Sequence, residues 1–402
     1  MSTNGPPDVE LATICCIFLH LTISSTIAFA TQKSIFRPIA LAFVLALATC
    51  IQNIVVTWAG YRHIALSYSL FASTSTLNAT DLLLWTRVTY AQHRQWTIKQ
   101  AKTPPQKDRL LIRMKWALQL PVNYRRVGTK WQVRPTHPFD PDKPGYIPSR
   151  FNFVLHRMIA VLLSLLALHY IDRALFHDPV PQSSTREKRE LSLDEWDFSI
   201  TLLLTRVFLS LSFFTWLLLF QRAGYDILAV IMVALHLSDP EDFPPMQGPY
   251  SETWSVRQLW GHTWHQMCRQ FLTSNANVLT FSILNLKPRK LPARYTRFFT
   301  SFFLSGLMHF LADTACGVPR TKSRALLFYA IQAVAFGIED LAQWVCKRCS
   351  LLRQDRLLRR TIGYIWVCVW CAATWPIWFY PLLREPVALA EGNGLSLGLL
   401  GL

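Results

Sequence analysis

The sequence predicts an all-α fold, a polytopic integral membrane bundle of about eight crossings with an amphipathic helix at the cytosolic surface. Three observations predict it. Hydrophobic residues make up 51% of the 402 residues and charged residues only 16%, against about a quarter in ordinary soluble domains. Apolar runs long enough to span a bilayer recur along the chain. The basic residues behind the net charge of +17 sit in the connections between those runs, where cytosolic loops face anionic lipid. No stacking platform or basic recognition helix accompanies them, which argues against nucleic acid as the partner of the charge.

The first segment, 1–86, holds apolar runs at 11–30 and 36–58 and a weaker, Ser/Thr-rich run at 64–85. Asp8 and Glu10 precede the first run and no Lys or Arg does. The N-terminus is therefore expected outside, and the first run is a span and not a removable signal peptide. The basic, proline-rich stretch 87–150 follows as a cytosolic loop. The segment 151–237 holds runs at 151–171 and 196–220 and a shorter one at 223–237; the segment 238–402 adds runs at 295–316, 325–346 and 362–383. "KRCSLLRQDRLLRR" (347–360) is also inside by its charge. Three full crossings between residues 151 and 237 would break this alternation. The run 223–237 is therefore expected to be a partial element kinked at Gly224, since it is too short to span comfortably. The oligomeric state is left open.

Between these spans lies "LWGHTWHQMCRQF", Leu259 to Phe271. Wound as one helix, Trp260, Trp264, Met267 and Phe271 share a stripe, and Gln258, His262, His265 and Arg269 share the opposite one. The pattern specifies an interfacial environment, and by itself no chemistry. The nine cysteines are scattered, as suits reduced, buried thiols. The CxxC pairs Cys346/Cys349 and Cys368/Cys371 invite a zinc reading, but they would lie at different membrane depths, so no metal is expected. The sequon at Asn78 lies within an expected span, which leaves it unused.

The run 295–316 contains "FFLSGLMHFLAD", which places His309 near mid-membrane. Ser305 and Gly306 come one turn before it and Asp313 one turn after. Ionisable groups at that depth are costly and face an interior. The imidazole could simply bridge helices, yet the small residues leave room beside the ring. In the next run Glu339 and Asp340 are also deep. They could raise the basicity of an imidazole or serve polar packing between helices, and the sequence does not choose.

"PMQGPYSETWSVRQLWGHTWHQ" followed by "SFFLSGLMHF" resembles the wax synthase branch of the membrane-bound O-acyltransferase superfamily. Leu259 stands where Phe is usual, and His262 stands where Arg is common. The resemblance covers roughly the C-terminal half, from Phe243 to Leu383, and implies acyl transfer to a hydroxyl. It implies His309 as general base and His265 as the second functional position, where other members carry Asn. Fungal members of this branch acetylate terpenoid or meroterpenoid alcohols, which implies acetyl-CoA as co-substrate and an apolar alcohol arriving from the bilayer. A neutral imidazole suits removal of the alcohol proton, and a ring N–H at His265 suits a developing oxyanion. Trp260, Trp264, Ser305, Asp313 and Glu339 are then expected to line the substrate path. Arg257, Arg269, Lys287, Arg289 and Lys290 are expected to meet the CoA phosphates. The competing readings are a long-chain wax-ester acyltransferase, a transporter that uses the intramembrane ionisable groups, and a membrane-embedded cyclase that depends on a carboxylic acid. No internal symmetry of the kind a transporter would show is visible.

Overall fold

A computed structural model describes residues 5–100, 109–134, 136–173, 200–348 and 356–384. Among these residues the regular secondary structure is helical, with no strand. In chain order the helices are α1 (Val9–Phe29), α2 (Phe36–Val55), α3 (Arg62–Thr80), α4 (Tyr90–Gln100), α5 (Leu110–Gln119) and α6 (Arg150–Asp172). They continue with α7 (Ile200–Ala234), α8 (Arg269–Asn277), α9 (Leu291–Ala315), α10 (Ala325–Arg348) and α11 (Arg356–Arg384). Among the described residues six helices are long and apolar enough to cross a membrane, namely α1, α2, α6, most of α7, α10 and α11. The two further expected crossings correspond to α3 and α9, of 19 and 25 residues. They are more polar because α3 is rich in Ser and Thr and α9 starts with Arg294 and Arg297. The protein is an all-α, multi-pass membrane protein.

The chain divides into two compact units that interleave in sequence. One comprises Met1–Arg134 and Gln266–Ala333, the other Pro135–His265 and Val334–Leu402. Both draw on the stretch 238–402.

In the first unit α1, α2 and α3 pack around Leu19, Ile23, Ile27, Val44, Ile51 and Val55, all buried. The opposite face of α1 leaves Leu11, Ile14, Phe18 and Leu21 exposed, the signature of a helix whose solvent is lipid. Several buried polar side chains of this unit are held by hydrogen bonds, as a dry interior favours. Arg37, near the start of α2, is buried. Its guanidinium donates to the carbonyls of Thr31 at 2.8 Å, Ala30 at 3.1 Å and Val88 at 2.7 Å, and to those of Leu82 and Leu83. The widened turn Asp81–Trp85 that ends α3 frees some of these carbonyls. Asp81 pairs with the buried Arg126, so the basic stretch 87–150 contributes to the interior as well as to a surface. Asn78 is buried and donates to the Pro121 carbonyl at 2.9 Å, which leaves no access for a glycan.

In the second unit α6 packs along α7, and α11 packs on α7. Here the sequence expectation needs correction: the runs 196–220 and 223–237 are not separate elements. α7 is one helix of 35 residues that runs on through Gly224. The polar residues that seemed to interrupt the pattern are neutralised instead. Asp226 is fully buried, pairs with Arg157 on α6 and lies 3.4 Å from Arg222 one turn before it. At 1.5 Å per residue α7 is about 52 Å long, well over the ~30 Å hydrocarbon core, so its end runs beyond the bilayer.

A second correction concerns Leu259 to Phe271, which is not one helix. A single turn, Val256–Gln258, widens into a π-type turn over Leu259–Thr263; Trp264 is then extended (φ −62°, ψ 156°), and helix resumes only at Arg269. The chain passes from one unit to the other between His265 and Gln266, inside this irregular stretch. The amphipathic helix that does form is α8. Cys349 lies outside the described residues, as does most of the basic segment between α10 and α11. Among the described residues no group of three His, Cys, Asp or Glu is placed to hold a metal ion.

Candidate active site

The two histidines singled out in the sequence sit in different units, each with its own scaffold. His309 belongs to the first. It is half-buried on α9, which packs against α3 and α8. Gly306, one turn earlier, explains how α10 comes close. A Cβ there would lie 3.2 Å from Leu326 Cα and Tyr329 Cβ, tighter than ordinary contact. The room beside His309 is therefore not an open cavity on this side. Tyr329 fills it, with its ring parallel to the imidazole at a centroid distance of 4.9 Å and an interplanar angle of 10°. The Tyr329 hydroxyl is hydrogen-bonded to Ser305, so the serine fixes the tyrosine that covers the histidine. Asp313 is buried and accepts from Ser323 Oγ at 2.6 Å, while its carbonyl accepts from the Val318 N–H at 3.0 Å. It closes the connection between α9 and α10.

The chain leading into α9 is anchored in the same unit. On α8, Ser274 Oγ donates to Asp81 at 2.6 Å; Asn275 donates to the Leu77 carbonyl at 3.1 Å and accepts from Trp85 Nε1 at 2.8 Å. Cys268, just before α8, has its thiol pushed up to about 12 by desolvation. It is a neutral thiol at pH 7 and unfit to carry an acyl group as a thiolate nucleophile.

His265 belongs to the second unit and ends an irregular segment. Ser255 caps its first turn, accepting from the Gln258 N–H at 3.0 Å. Glu339 on α10 is buried and accepts from the N–H groups of Val256 at 2.5 Å and Arg257 at 3.3 Å, and from Trp366 Nε1 at 3.0 Å. A carboxylate at a helix start meets both orphan donors and the positive end of the turn. Arg257 donates to Asp340 at 2.8 Å and to the Phe336 carbonyl at 3.1 Å, and lies over the Phe336 ring. On α11, Gly363 abuts Trp254: a Cβ there would come within 2.2 Å of the Trp254 carbonyl oxygen.

The loop before this turn is docked onto it. Gly248 N–H donates to the Thr263 carbonyl at 3.0 Å, and the hydroxyls of Thr253 and Thr263 are 2.8 Å apart. His137 Nε2 donates to the His262 carbonyl at 3.1 Å, and the two rings meet edge to face at 4.7 Å. The His262 ring lies 3.4 Å from Glu252. A Cβ on Gly248 would fall 2.5 Å from the His262 carbonyl oxygen, so this glycine is required by close approach. The resulting position sets Trp264 beside His265, with ring centroids 5.3 Å apart, in a cluster with Trp260, Trp375 and Phe214.

Several expected site residues thus have structural partners. Glu339 and Arg257 hold the His265 segment, Asp313 holds the α9–α10 connection, and Ser305 holds Tyr329. Lys287, Arg289 and Lys290 are exposed together just before α9; Arg269 is exposed at the start of α8 and donates to Gln266 at 3.0 Å. Tyr329, Trp366 and Trp375 were missed. Trp375 carried a signal, an aromatic beside Pro376 within an apolar run, whereas Tyr329 and Trp366 look like ordinary span aromatics.

Residues 243–331 match the model of the "Membrane bound O-acyl transferase family", a stretch that includes both histidines. The chain is 31% identical over 289 residues to the acetyltransferase aurG of Calcarisporium arbuscula, covering 70% of this chain and 68% of that protein. It is 28% identical to the acetyltransferase ple2 of Rhodocybe pseudopiperita, over 81% of this chain and 80% of the relative. It is also 28% identical to the acetyltransferase eriL of Hericium erinaceus, over 97% of this chain and 94% of the relative.

Proposed function

This chain belongs to the membrane bound O-acyl transferase family, and we propose that it moves an acetyl group from acetyl-CoA to a hydroxyl of an apolar alcohol. The alcohol we have in mind is a terpenoid or meroterpenoid of secondary metabolism, and the membrane that of the endoplasmic reticulum. That it is an acyltransferase follows from the family. The acetyl donor is favoured by the names of these three relatives, each an acetyltransferase.

The observation that carries the mechanism is the half-buried imidazole of His309, held by Tyr329 on a helix of the family-matched region. In this reading His309 takes the proton of the substrate hydroxyl as the oxygen attacks the thioester carbonyl. The tetrahedral intermediate carries its charge on the former carbonyl oxygen, and the His265 ring N–H donates to it. Collapse breaks the carbon–sulfur bond, and the proton held by His309 passes to the departing sulfur. The products are the acetate ester and CoA thiol. The basic turn before α9 would meet the CoA phosphates, and Trp260 and Trp264 would border the acceptor.

The deciding experiment uses microsomes carrying the chain, supplied with labelled acetyl-CoA or palmitoyl-CoA and a panel of terpenoid alcohols. Label should enter an ester from acetyl-CoA. Preferential use of palmitoyl-CoA with long-chain alcohols would replace this reading with the wax-ester one.

A further inference from the structure

Resting on the reading of His309 as the base, we propose that Tyr329 is its positioning residue: the tyrosine face fixes the imidazole plane and supports the cation that forms when the proton arrives. Three features meet at this residue. Its ring lies 4.9 Å from the His309 ring and within 10° of parallel, a geometry that restricts rotation of the imidazole about its terminal torsion, otherwise a broad, soft coordinate. Its hydroxyl is tied to Ser305 on the helix that bears His309, so ring and base move as one body. Its Cβ would lie 3.2 Å from a Cβ on residue 306, which makes Gly306 the condition for the stack.

The consequence is a differential effect on the reaction. While His309 is neutral, the stack is a contact between two apolar ring faces. Once the hydroxyl proton has moved, the imidazole is a cation over the negative face of a phenol ring, and the attraction grows. Only interactions that strengthen in the transition state speed the chemical step. Asp313, on the same helix, accepts from Ser323, and the tyrosine stack is an interaction with the ring that strengthens as the proton arrives.

The test compares Tyr329→Phe and Tyr329→Leu with His309→Ala in full-length enzyme in microsomes. Steady-state kinetics, the solvent deuterium isotope effect on kcat and the thermal midpoint of detergent-extracted protein are read for each. Phe keeps the ring face, so Tyr329→Phe should stay within about threefold of wild type. Tyr329→Leu should lose about 10- to 100-fold in kcat with both KM values unchanged. Its isotope effect should rise, because proton abstraction becomes the slow step. A merely structural lesion lowers the amount of active enzyme and leaves the isotope effect where it was; that outcome would overturn the proposal. So would Phe as damaging as Leu, or Leu near wild type while His309→Ala is inactive. An active His309→Ala overturns the reading of the base itself, a result distinct from the others.

Discussion

His309 rides in the C-terminal half of a 25-residue helix, whereas His265 ends an irregular segment that helices elsewhere in its unit hold in place. The first needs little beyond its own helix: the period of α9 sets its neighbours, and one aromatic from α10 covers it. The second has no regular structure of its own for support. Its position depends on a carboxylate, an indole and a glycine far away in sequence, and on Gly248 in the loop before it. A base must be held in one orientation for proton transfer, and a rigid helix supplies that cheaply. A donor that meets a developing oxyanion must sit where helix geometry does not naturally place it, and an irregular segment clamped from outside can do so.

If this contrast is right, the largest loss falls on the helix-borne residue. His309→Ala should lower turnover by about two to four orders of magnitude, the usual share of a general base. Membrane insertion should be unchanged, because α9 keeps its apolar length. Near-normal turnover in well-inserted protein would break the assignment and return the carboxylic-acid cyclase to consideration.

The next loss falls on the clamped donor. His265→Ala should reduce kcat by about 10²- to 10³-fold, as removal of an oxyanion donor does. His265→Asn keeps one N–H and should stay within about tenfold of wild type. Equal damage from Ala and Asn would argue that the ring itself, and not a hydrogen bond, is needed there.

Glu339→Ala attacks the clamp and leaves the histidine intact. It strands the N–H groups of Val256 and Arg257 and the Trp366 indole, each unsatisfied buried donor costing about 1–3 kcal/mol. The thermal midpoint should fall by several degrees and kcat by about tenfold. Glu339→Gln, which retains an accepting oxygen, should recover part of both. An effect on the alcohol KM alone would instead restore Glu339 as a substrate contact.

The same contrast explains what the sequence made legible. The all-α bundle follows from apolar length and period, which are local properties. The continuity of α7 was hidden because Arg157, which neutralises Asp226, lies on another helix, and residue-by-residue polarity cannot see a partner. The stripes of Leu259 to Phe271 were true of an ideal helix but irrelevant to a segment whose carbonyls accept from His137 and Gly248. Glu339 and Asp340 were recognised as meaningful, and the structure gives their use: they anchor the backbone and the guanidinium of residues about eighty positions away. Tyr329 gave no sign, since only the gap left by Gly306 turns an ordinary span tyrosine into a partner of His309.

The smallest expected effect lies at the basic turn, and it sharpens the contrast by separating exposed charge from clamped charge. Lys287, Arg289 and Lys290 are exposed side by side before α9, so any phosphate they meet is met in water. Exposed ion pairs are worth about 0–1 kcal/mol each and are screened by salt. Replacing all three with Ala should therefore raise the KM for acyl-CoA about three- to tenfold. It should leave kcat and the alcohol KM alone, and the difference should shrink as ionic strength rises. Arg257 is the control: its guanidinium is already committed to Asp340 and the Phe336 carbonyl. Arg257→Ala should lower stability and kcat with little dependence on salt, because what it loses is the anchoring of the His265 segment and not a contact with CoA. A salt-sensitive rise in acyl-CoA KM for Arg257→Ala, with the exposed triple variant unaffected, would exchange the roles of the two groups.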